Sequence, residues 1–448
     1  MATTEVSYGK HSVPLQSKQR GRRPRRRQHP LWSGLNYLGR RTLLNKAVDQ
    51  VADRLQEVEE CVTLEAAAQP EWAVFNCGSA VQTLREATSR HSLIQGHSPP
   101  LLNTQSTALV EHVPYGVVFG IAPWSAAALL GMGSIAYALA AGNTVVLKAS
   151  ELCPRTHFPL EDCFHQARVP PGVVNVVAHS SDKGPEVIGA LIKHPAVSKI
   201  NFTGSTAVGR IIAGLAAKEL KPVLLELGGK APLIALDDVD LEGAAAATAR
   251  GSNLHAGQVC MGTERVIVVE SVADRFEEIL KQTYVKLYLP GVNHQASVRP
   301  SGATKVRELV QDALNNGTTV VAGTPGFADS ANRSVAPIVL KNVEHSLLYR
   351  EESFRRAILL IVVPTVKEAI AVTNDTEYGL SAAVWVSLPK ALTVTRRIHS
   401  GAVHINNSTI HDEPNLPHGG MKSSRYGRFG SSWGISEFLT TRTITFKV

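Results

Sequence analysis

The sequence predicts an α/β protein of two doubly wound domains. Three observations point there. The chain has 448 residues, enough for two or three domains with sizeable cores. From Asn143 onward, short runs rich in Val, Ile and Leu alternate with helical stretches, the pattern of a parallel sheet covered by helices on both faces. After Gly229 the alternation starts again, which predicts a second domain.

Taken in order, residues 1–40 read as a basic, poorly ordered arm. Arg41 to Ala66 carries a helical stripe, with Leu43, Leu44, Ala47, Val48, Val51, Leu55 and Val58 at three- and four-residue steps. Trp72 to Ala87 reads as a second helix whose apolar positions are Trp72, Phe75, Val81 and Leu84. His91 to Thr107 is polar and broken by Pro99-Pro100, so it is read as a connection or an exposed hairpin, and Val113 to Ile121 as one strand. Ser125 to Gly142 carries no charge, but Ala and Gly dominate it and Pro123 and Gly142-Asn143 bracket it. It is read as a buried helix rather than a membrane span. Strands are expected at Asn143–Leu147, Val173–Val177, Ser198–Phe202 and Val223–Leu227, with helices at Gly184–His194 and Ala207–Glu219. Beyond Gly229, Leu241–Leu254 and Ala273–Tyr288 read as helices and Arg265–Glu270 as a strand.

Composition narrows the function. Apolar residues make up 44% and charged residues 19%, ordinary for a soluble globular chain. The net charge of +8 is concentrated in Lys18, Arg20, Arg22, Arg23, Arg25, Arg26 and Arg27, and the remainder is close to neutral. A nucleic-acid-binding body is therefore not expected, and the basic run reads as a solvated arm, with a nuclear-localisation or nucleic-acid patch as the alternative. No apolar stretch follows the early charges, so no secretory signal is expected. Cys61, Cys77, Cys153, Cys163 and Cys260 form no CxxC pair and no metal-ligand spacing with His. No metal site or disulfide framework is expected, and a reducing, cytoplasmic setting fits.

The chemistry centres on Leu224 to Gly262. Glu226 ends a short apolar run and precedes Gly228-Gly229, which puts a carboxylate at the C-terminal end of a buried strand where the chain turns. Cys260 lies between Gly257 and Gly262, with little bulk to shield its sulfur. A thiol with an acid held on a separate element fits nucleophilic catalysis with an assisting base. A lone Cys is more often a small core residue and a lone Glu a surface charge, so the pair alone is a modest signal.

Several motifs in order then give the chain its resemblance to the NAD(P)-dependent aldehyde dehydrogenase superfamily, from about Arg41 to the C-terminus. Phe202-Thr203-Gly204-Ser205-Thr206-Ala207-Val208-Gly209 is similar to the family's cofactor loop, Glu226-Leu227-Gly228-Gly229-Lys230 to its general-base motif, and Gly257-Gln258-Val259-Cys260 to its nucleophile motif. His404-Ile405-Asn406, His411-Asp412-Glu413 and Tyr426-Gly427-Arg428-Phe429-Gly430 resemble the salicylaldehyde and vanillin dehydrogenase branch. The resemblance implies an aldehyde dehydrogenase-like fold with an NAD-binding domain over 41–228, oligomerisation strands within 96–114, a catalytic domain over 229–424, and a C-terminal return and oligomerisation strand over 425–448. It implies oxidation of an aldehyde, expected to be aromatic, to its acid with NAD, in a homo-oligomer (dimer or tetramer) that binds no membrane. Cys260 would attack the aldehyde and Glu226 would activate the hydrolytic water. Trp124, Lys148, Glu151, Gly204, Ser205, Gly209, Glu352 and Phe354 would hold the cofactor. A carboxylate at Glu151 accepts from ribose hydroxyls and repels a 2′-phosphate, which favours NAD over NADP.

Three positions depart from the family's pattern. Ser125 stands where an Asn amide contributes to the oxyanion hole, which would cost about 3–4 kcal/mol of transition-state stabilisation. Arg355-Arg356 stand where Gly-Pro usually follows Phe354, and two cations there would either meet a phosphate or disturb Phe354. His418 stands where an aromatic residue often lines the substrate tunnel. These departures support an alternative, a protein that keeps the fold and acts as a binding or scaffold protein with little turnover.

Overall fold

The computed structural model describes residues 29–287, 298–323 and 335–447, together with the short strands Ser7–Tyr8 and His11–Ser12, which pair antiparallel. Two sheets carry the chain, and their central strands are buried along nearly their whole length because helices cover both faces.

The first sheet has six strands in the order Arg425–Tyr426, Val223–Glu226, Val197–Thr203, Val117–Ile121, Thr144–Lys148 and Val174–Val177. Five are parallel, and Arg425–Tyr426 closes the edge antiparallel to Val223–Glu226. Sequence order reverses between Val117–Ile121 and Val197–Thr203. Such a switch point opens a crevice at the carboxyl ends of the strands, where ligands bind in open α/β sheets. The second sheet has seven strands in the order Thr319–Gly323, Ile338–Lys341, Ala357–Val363, Thr263–Val269, Ala231–Ala235, Ser381–Trp385 and Ala402–Ile405, of which only Thr319–Gly323 runs antiparallel to its neighbour. A separate ribbon pairs Ser106–Pro114 with Leu439–Lys447 along its whole length.

Between Ser125 and Gly142 the chain forms the helix Ala127–Ala140, with 11 of its 14 residues buried, packed on the helix Pro70–Ser89 and on the first sheet. Its small side chains let those neighbours approach closely, which explains an uncharged segment inside a globular body. Among the described residues no helix is long and apolar enough to cross a membrane.

Several expectations are corrected. Residues 30–40 are not a plain arm: helices cover Pro30–Ser33 and Tyr37–Asp53, Trp32 is fully buried, and Asn36 caps the second helix by accepting from the Gly39 N–H at 2.8 Å. The basic run 18–27 lies outside the described residues. The single stripe over Arg41–Ala66 is two helices, Tyr37–Asp53 and Leu55–Ala66, broken where Arg54 leaves helical geometry. Val113–Ile121 is two strands, ending at Pro114 and restarting at Val117. Between them Gly116 takes a φ of +122° and donates to the Asn143 side chain at 2.9 Å. Phe75 is exposed rather than part of its helix's buried face. The strand Ala231–Ala235, which directly follows the Glu226 motif, was not anticipated.

Candidate active site

A cleft of about 270 Å³ opens between the carboxyl ends of the first sheet's strands and the amino ends of the second sheet's strands. The first sheet supplies Trp124 and Ser125 after the strand ending at Ile121, Gly204 and Ser205 after the strand ending at Thr203, and Glu226 at the end of its own strand. From the second sheet come Cys260, just before the strand Thr263–Val269, and Glu352 and Phe354, just before Ala357–Val363. Eight of the expected site residues thus meet in one cleft. Lys148, Glu151 and Gly209 do not line it.

Gly209 acts from behind: a Cβ there would lie 2.4 Å from the Leu227 side chain, so the helix Thr206–Lys218 packs close against the segment that follows Glu226. Ser205 caps that helix through the Val208 N–H, and the helix's N-terminus, favourable to negative charge, opens at the cleft. A Cβ at Gly204 would meet the Phe202 ring at 2.6 Å. Lys148 and Glu151 form an ion pair at 3.1 Å, and Arg299, which lines the cleft, also pairs with Glu151. Burial works against ionising Glu151, yet Lys148 and then Arg299 hold its carboxyl below the ordinary range.

Gly228 and Gly229 are spacers between the two sheets. A Cβ on Gly228 would lie 2.4 Å from the Glu352 carboxylate, and one on Gly229 would lie 2.4 Å from the Cys260 carbonyl oxygen. Glu352 accepts from the Gly229 N–H at 2.9 Å. Burial, reinforced by the charge of Glu264, pushes the Glu352 carboxyl up to about 7. Beneath it, buried Lys230 pairs with Glu264 at 2.6 Å, and Glu264 accepts from the Ser353 and Phe354 N–H groups at 2.9 and 2.8 Å. This pair holds the Glu352–Phe354 loop in place, with Phe354 at φ +52° and its ring edge-on to Trp124 at 5.7 Å.

Arg355 and Arg356 follow Phe354 directly, and Arg355 lines the cleft. Both are buried, and Arg355 Nη1 folds back to donate to the Phe354 carbonyl at 2.5 Å. A Cβ on Gly257 would lie 2.5 Å from the Arg355 backbone, so this loop packs directly against the turn before Cys260. In that turn His255, Ala256 and Gly257 all have positive φ, at 50°, 58° and 73°. Such a run is costly and persists only where the surroundings fix it.

Cys260 is the one cysteine of the five that is not fully buried. Its thiol is pushed well above its ordinary 9.0, first by desolvation and then by the charges of Glu226, Glu352 and Asp412. A second pocket, not lined by Gly204 or Ser205, reaches Cys260 between Trp72, Phe75, Leu129, Met261 and Ile410. Ser125 borders both openings, and its carbonyl accepts from Trp72 Nε1 at 3.2 Å.

His418 was read as a wall of the substrate tunnel, and it does border this second pocket. It also takes a part the sequence did not disclose. Its Nε2 donates to Glu226 Oε1 at 2.6 Å, and its Nδ1 lies 3.3 Å from Asp412 Oδ1. Burial alone would lower its pKa, but the neighbouring carboxylates of Asp412 and Glu226 raise it well above the ordinary 6.5, which favours the charged ring. Of the charged residues that support the site, Glu264 and Arg299 are absent from the motif reading, and Lys230 was given no role there. Only Lys230 carried a signal, as the last residue of the Glu226 motif.

The sequence profile of the aldehyde dehydrogenase family matches residues 23–444. The chain is 42% identical to a vanillin dehydrogenase of Pseudomonas sp. (strain HR199) over 425 residues, covering 93% of this chain and 87% of that protein. The crystal structure of a salicylaldehyde dehydrogenase from Pseudomonas putida G7 complexed with salicylaldehyde superposes with a TM-score of 0.89 at 37% identity, covering 93% of this chain and 87% of the other. An NADP-dependent glyceraldehyde-3-phosphate dehydrogenase from Bacillus halodurans C-125, solved with NADP, gives a TM-score of 0.86 at 28% identity over 93% of this chain and 88% of the other.

Proposed function

The chain belongs to the aldehyde dehydrogenase family, and from that premise we propose that it oxidises aromatic aldehydes to carboxylic acids through a thioester on Cys260, with NAD as the preferred cofactor. The observation that carries this reading is that Cys260 and Glu226, contributed by different sheets, border the same cleft. The pocket of Trp72, Phe75, Leu129, Met261 and Ile410 beside Cys260 suits a flat aromatic ring.

The cofactor fits the residues present. The close approaches at Gly204 and Gly209 leave backbone rather than side chains at the helix N-terminus, where a pyrophosphate is favoured, and Glu352 offers its carboxyl to a ribose. When bound, the nicotinamide supplies the hydride acceptor. All other steps belong to the chain. The Cys260 thiol is neutral at rest and must lose its proton before Sγ bonds to the aldehyde carbon. Ser125 and the Cys260 N–H are the donors assigned to the oxygen that gains charge. Trp124 and Phe354, set edge-on, fix one wall beside the reacting carbon. Glu226 then takes a proton from the water that cleaves the thioester.

The Glu151 carboxyl supports the preference for NAD. Arg299 favours a second cofactor reading, because a cation paired with that carboxylate offsets its repulsion of a 2′-phosphate. The range 41–228 is assigned as the cofactor-binding unit and 229–424 as the catalytic one. The ribbon of Ser106–Pro114 and Leu439–Lys447 exposes Leu109, Ile444 and Phe446, which suits a contact between copies of the chain in a homo-oligomer. Five unpaired cysteines agree with a cytoplasmic setting.

The test is NADH formation by the purified protein with vanillin, salicylaldehyde, benzaldehyde and a series of aliphatic aldehydes. Aromatic aldehydes should give the higher kcat/KM, and Cys260→Ala should abolish acid formation while cofactor affinity stays nearly unchanged. A wild type with no turnover on any aldehyde, yet with measurable cofactor binding, would support the scaffold reading. Near-normal turnover in Cys260→Ala would mean the nucleophile lies elsewhere.

A further inference from the structure

We propose that His418 is a positioning residue for thioester hydrolysis, clamped by Asp412 so that it fixes the carboxylate of Glu226 in its working orientation. The inference rests on the reading of Glu226 as the base.

The geometry is specific. His418 grips only Oε1 of Glu226, at 2.6 Å, leaving Oε2 without a protein hydrogen-bond donor among the described residues. That free oxygen belongs to a side chain bordering both the cofactor-side cleft and the pocket beside Cys260. The imidazole is itself held. Asp412 faces its other nitrogen at 3.3 Å, and the His418 backbone exchanges hydrogen bonds with Phe429 at 3.0 and 2.8 Å. The next residue, Gly419, has a φ of +146°, and its carbonyl would lie 1.8 Å from a Cβ on Gly401. The ring therefore has little freedom to follow Glu226, so Glu226 must follow the ring. A carboxylate on a flexible side chain otherwise samples several rotamers, and a misplacement of about 1 Å at a reacting group costs on the order of 10²-fold in rate.

In the step concerned, the oxygen of water bonds to the thioester carbon and the water's proton passes to Oε2 of Glu226. The C–S bond breaks with its electron pair returning to Sγ, the acid departs, and Glu226 releases its proton to solvent. His418 keeps its protons throughout. Its cation also lies between Glu226 and Asp412, two of the anions that oppose a negative charge on Cys260.

The experiment is rapid-mix kinetics with a good aromatic aldehyde on the full chain, comparing wild type, His418→Phe, His418→Gln, Glu226→Gln and the His418→Phe/Glu226→Gln double variant. His418→Phe should still give a first turnover of NADH near one per active site, followed by a steady rate lowered about 10- to 100-fold. His418→Gln returns a donor to Oε1 without the charge and should recover part of that loss. The double variant should be no slower than Glu226→Gln alone, because two residues acting through one group are not additive. A His418→Phe steady rate equal to wild type, with Glu226→Gln inactive, overturns the proposal and leaves the base assignment standing. Additive losses in the double variant overturn it too, as does a reduced burst amplitude with an unchanged decay, the mark of a merely damaged fold. Normal hydrolysis in Glu226→Gln removes the base assignment and this inference with it.

Discussion

Replacing Glu352 by Gln should stabilise the protein in alkaline solution while weakening cofactor use. The carboxyl is pushed from 4.5 up to about 7 by burial and by Glu264. Because the folded state favours the protonated acid, its contribution to stability is complete below 4.5 and is lost as pH rises through about 7. A shift of that size corresponds to about 3 kcal/mol at ~1.4 kcal/mol per pH unit. One edge of the group faces the open cleft, where water screens it, so about 1–2 kcal/mol is the expected difference. Gln keeps an oxygen to accept from the Gly229 N–H and carries no charge to bury. Urea unfolding of the cofactor-free protein at pH 8.5 should thus show the variant more stable than wild type, with the gap closing at pH 5. KM for NAD should rise in the variant, and the wild type's KM should climb toward the variant's as pH falls through about 7. A stability difference that stays constant from pH 5 to 8.5, or a variant less stable at pH 8.5, would refute the reasoning.

Other expectations follow from the same cleft. Ser125→Asn should raise kcat at least about tenfold by restoring a rigid donor for the developing oxyanion, with NAD affinity unmoved; an unchanged kcat would mean another group already fills that place. Arg299→Ala should lower kcat/KM with NADP about tenfold while sparing NAD, because Glu151 then repels a 2′-phosphate unopposed; equal losses with both cofactors would remove Arg299 from cofactor choice. Gly228→Ala should raise KM for the cofactor by displacing the movable Glu352 carboxylate. Gly229→Ala, pressing on the Cys260 backbone, should cost about 1–3 kcal/mol of stability and most of kcat; titration and urea melts of the two variants separate these outcomes.

Much of the frame could be read from the chain because local and global signals agree there. Buried parallel strands announce themselves as runs such as Val223–Glu226, and the helix Ala127–Ala140 betrays its burial by the absence of charge. The motifs led to eight residues that share the cleft, because each follows or precedes a strand at its active edge. What escaped has a common cause. His418 and Asp412 reach Glu226 from almost 200 residues away, and nothing local distinguishes a histidine that grips a carboxylate from one that lines a tunnel. Glu264 sits one residue into an apolar strand and pairs with Lys230 across the sheet, a contact only register creates. The fold-back of Arg355 to its neighbour's carbonyl could not be read either, since it depends on the tight packing at Gly257. The break at Arg54 is a single residue of non-helical backbone that leaves the apolar stripe of the sequence uninterrupted.

The edge strand Arg425–Tyr426 has a consequence for how the molecule is made. Synthesis runs from the amino end, and all five parallel strands of the first sheet are available once residue 226 has left the ribosome. Their outer member, Val223–Glu226, then presents unpaired backbone until about 200 further residues have been translated, roughly 10–40 s at ordinary elongation rates. During that interval the bare edge is a template for pairing with another nascent chain. Ser106–Pro114 waits longer still, since its partner is Leu439–Lys447. Chains halted before residue 425 should therefore aggregate and depend on chaperones, whereas released full-length chains should become protease-resistant once both late strands have docked.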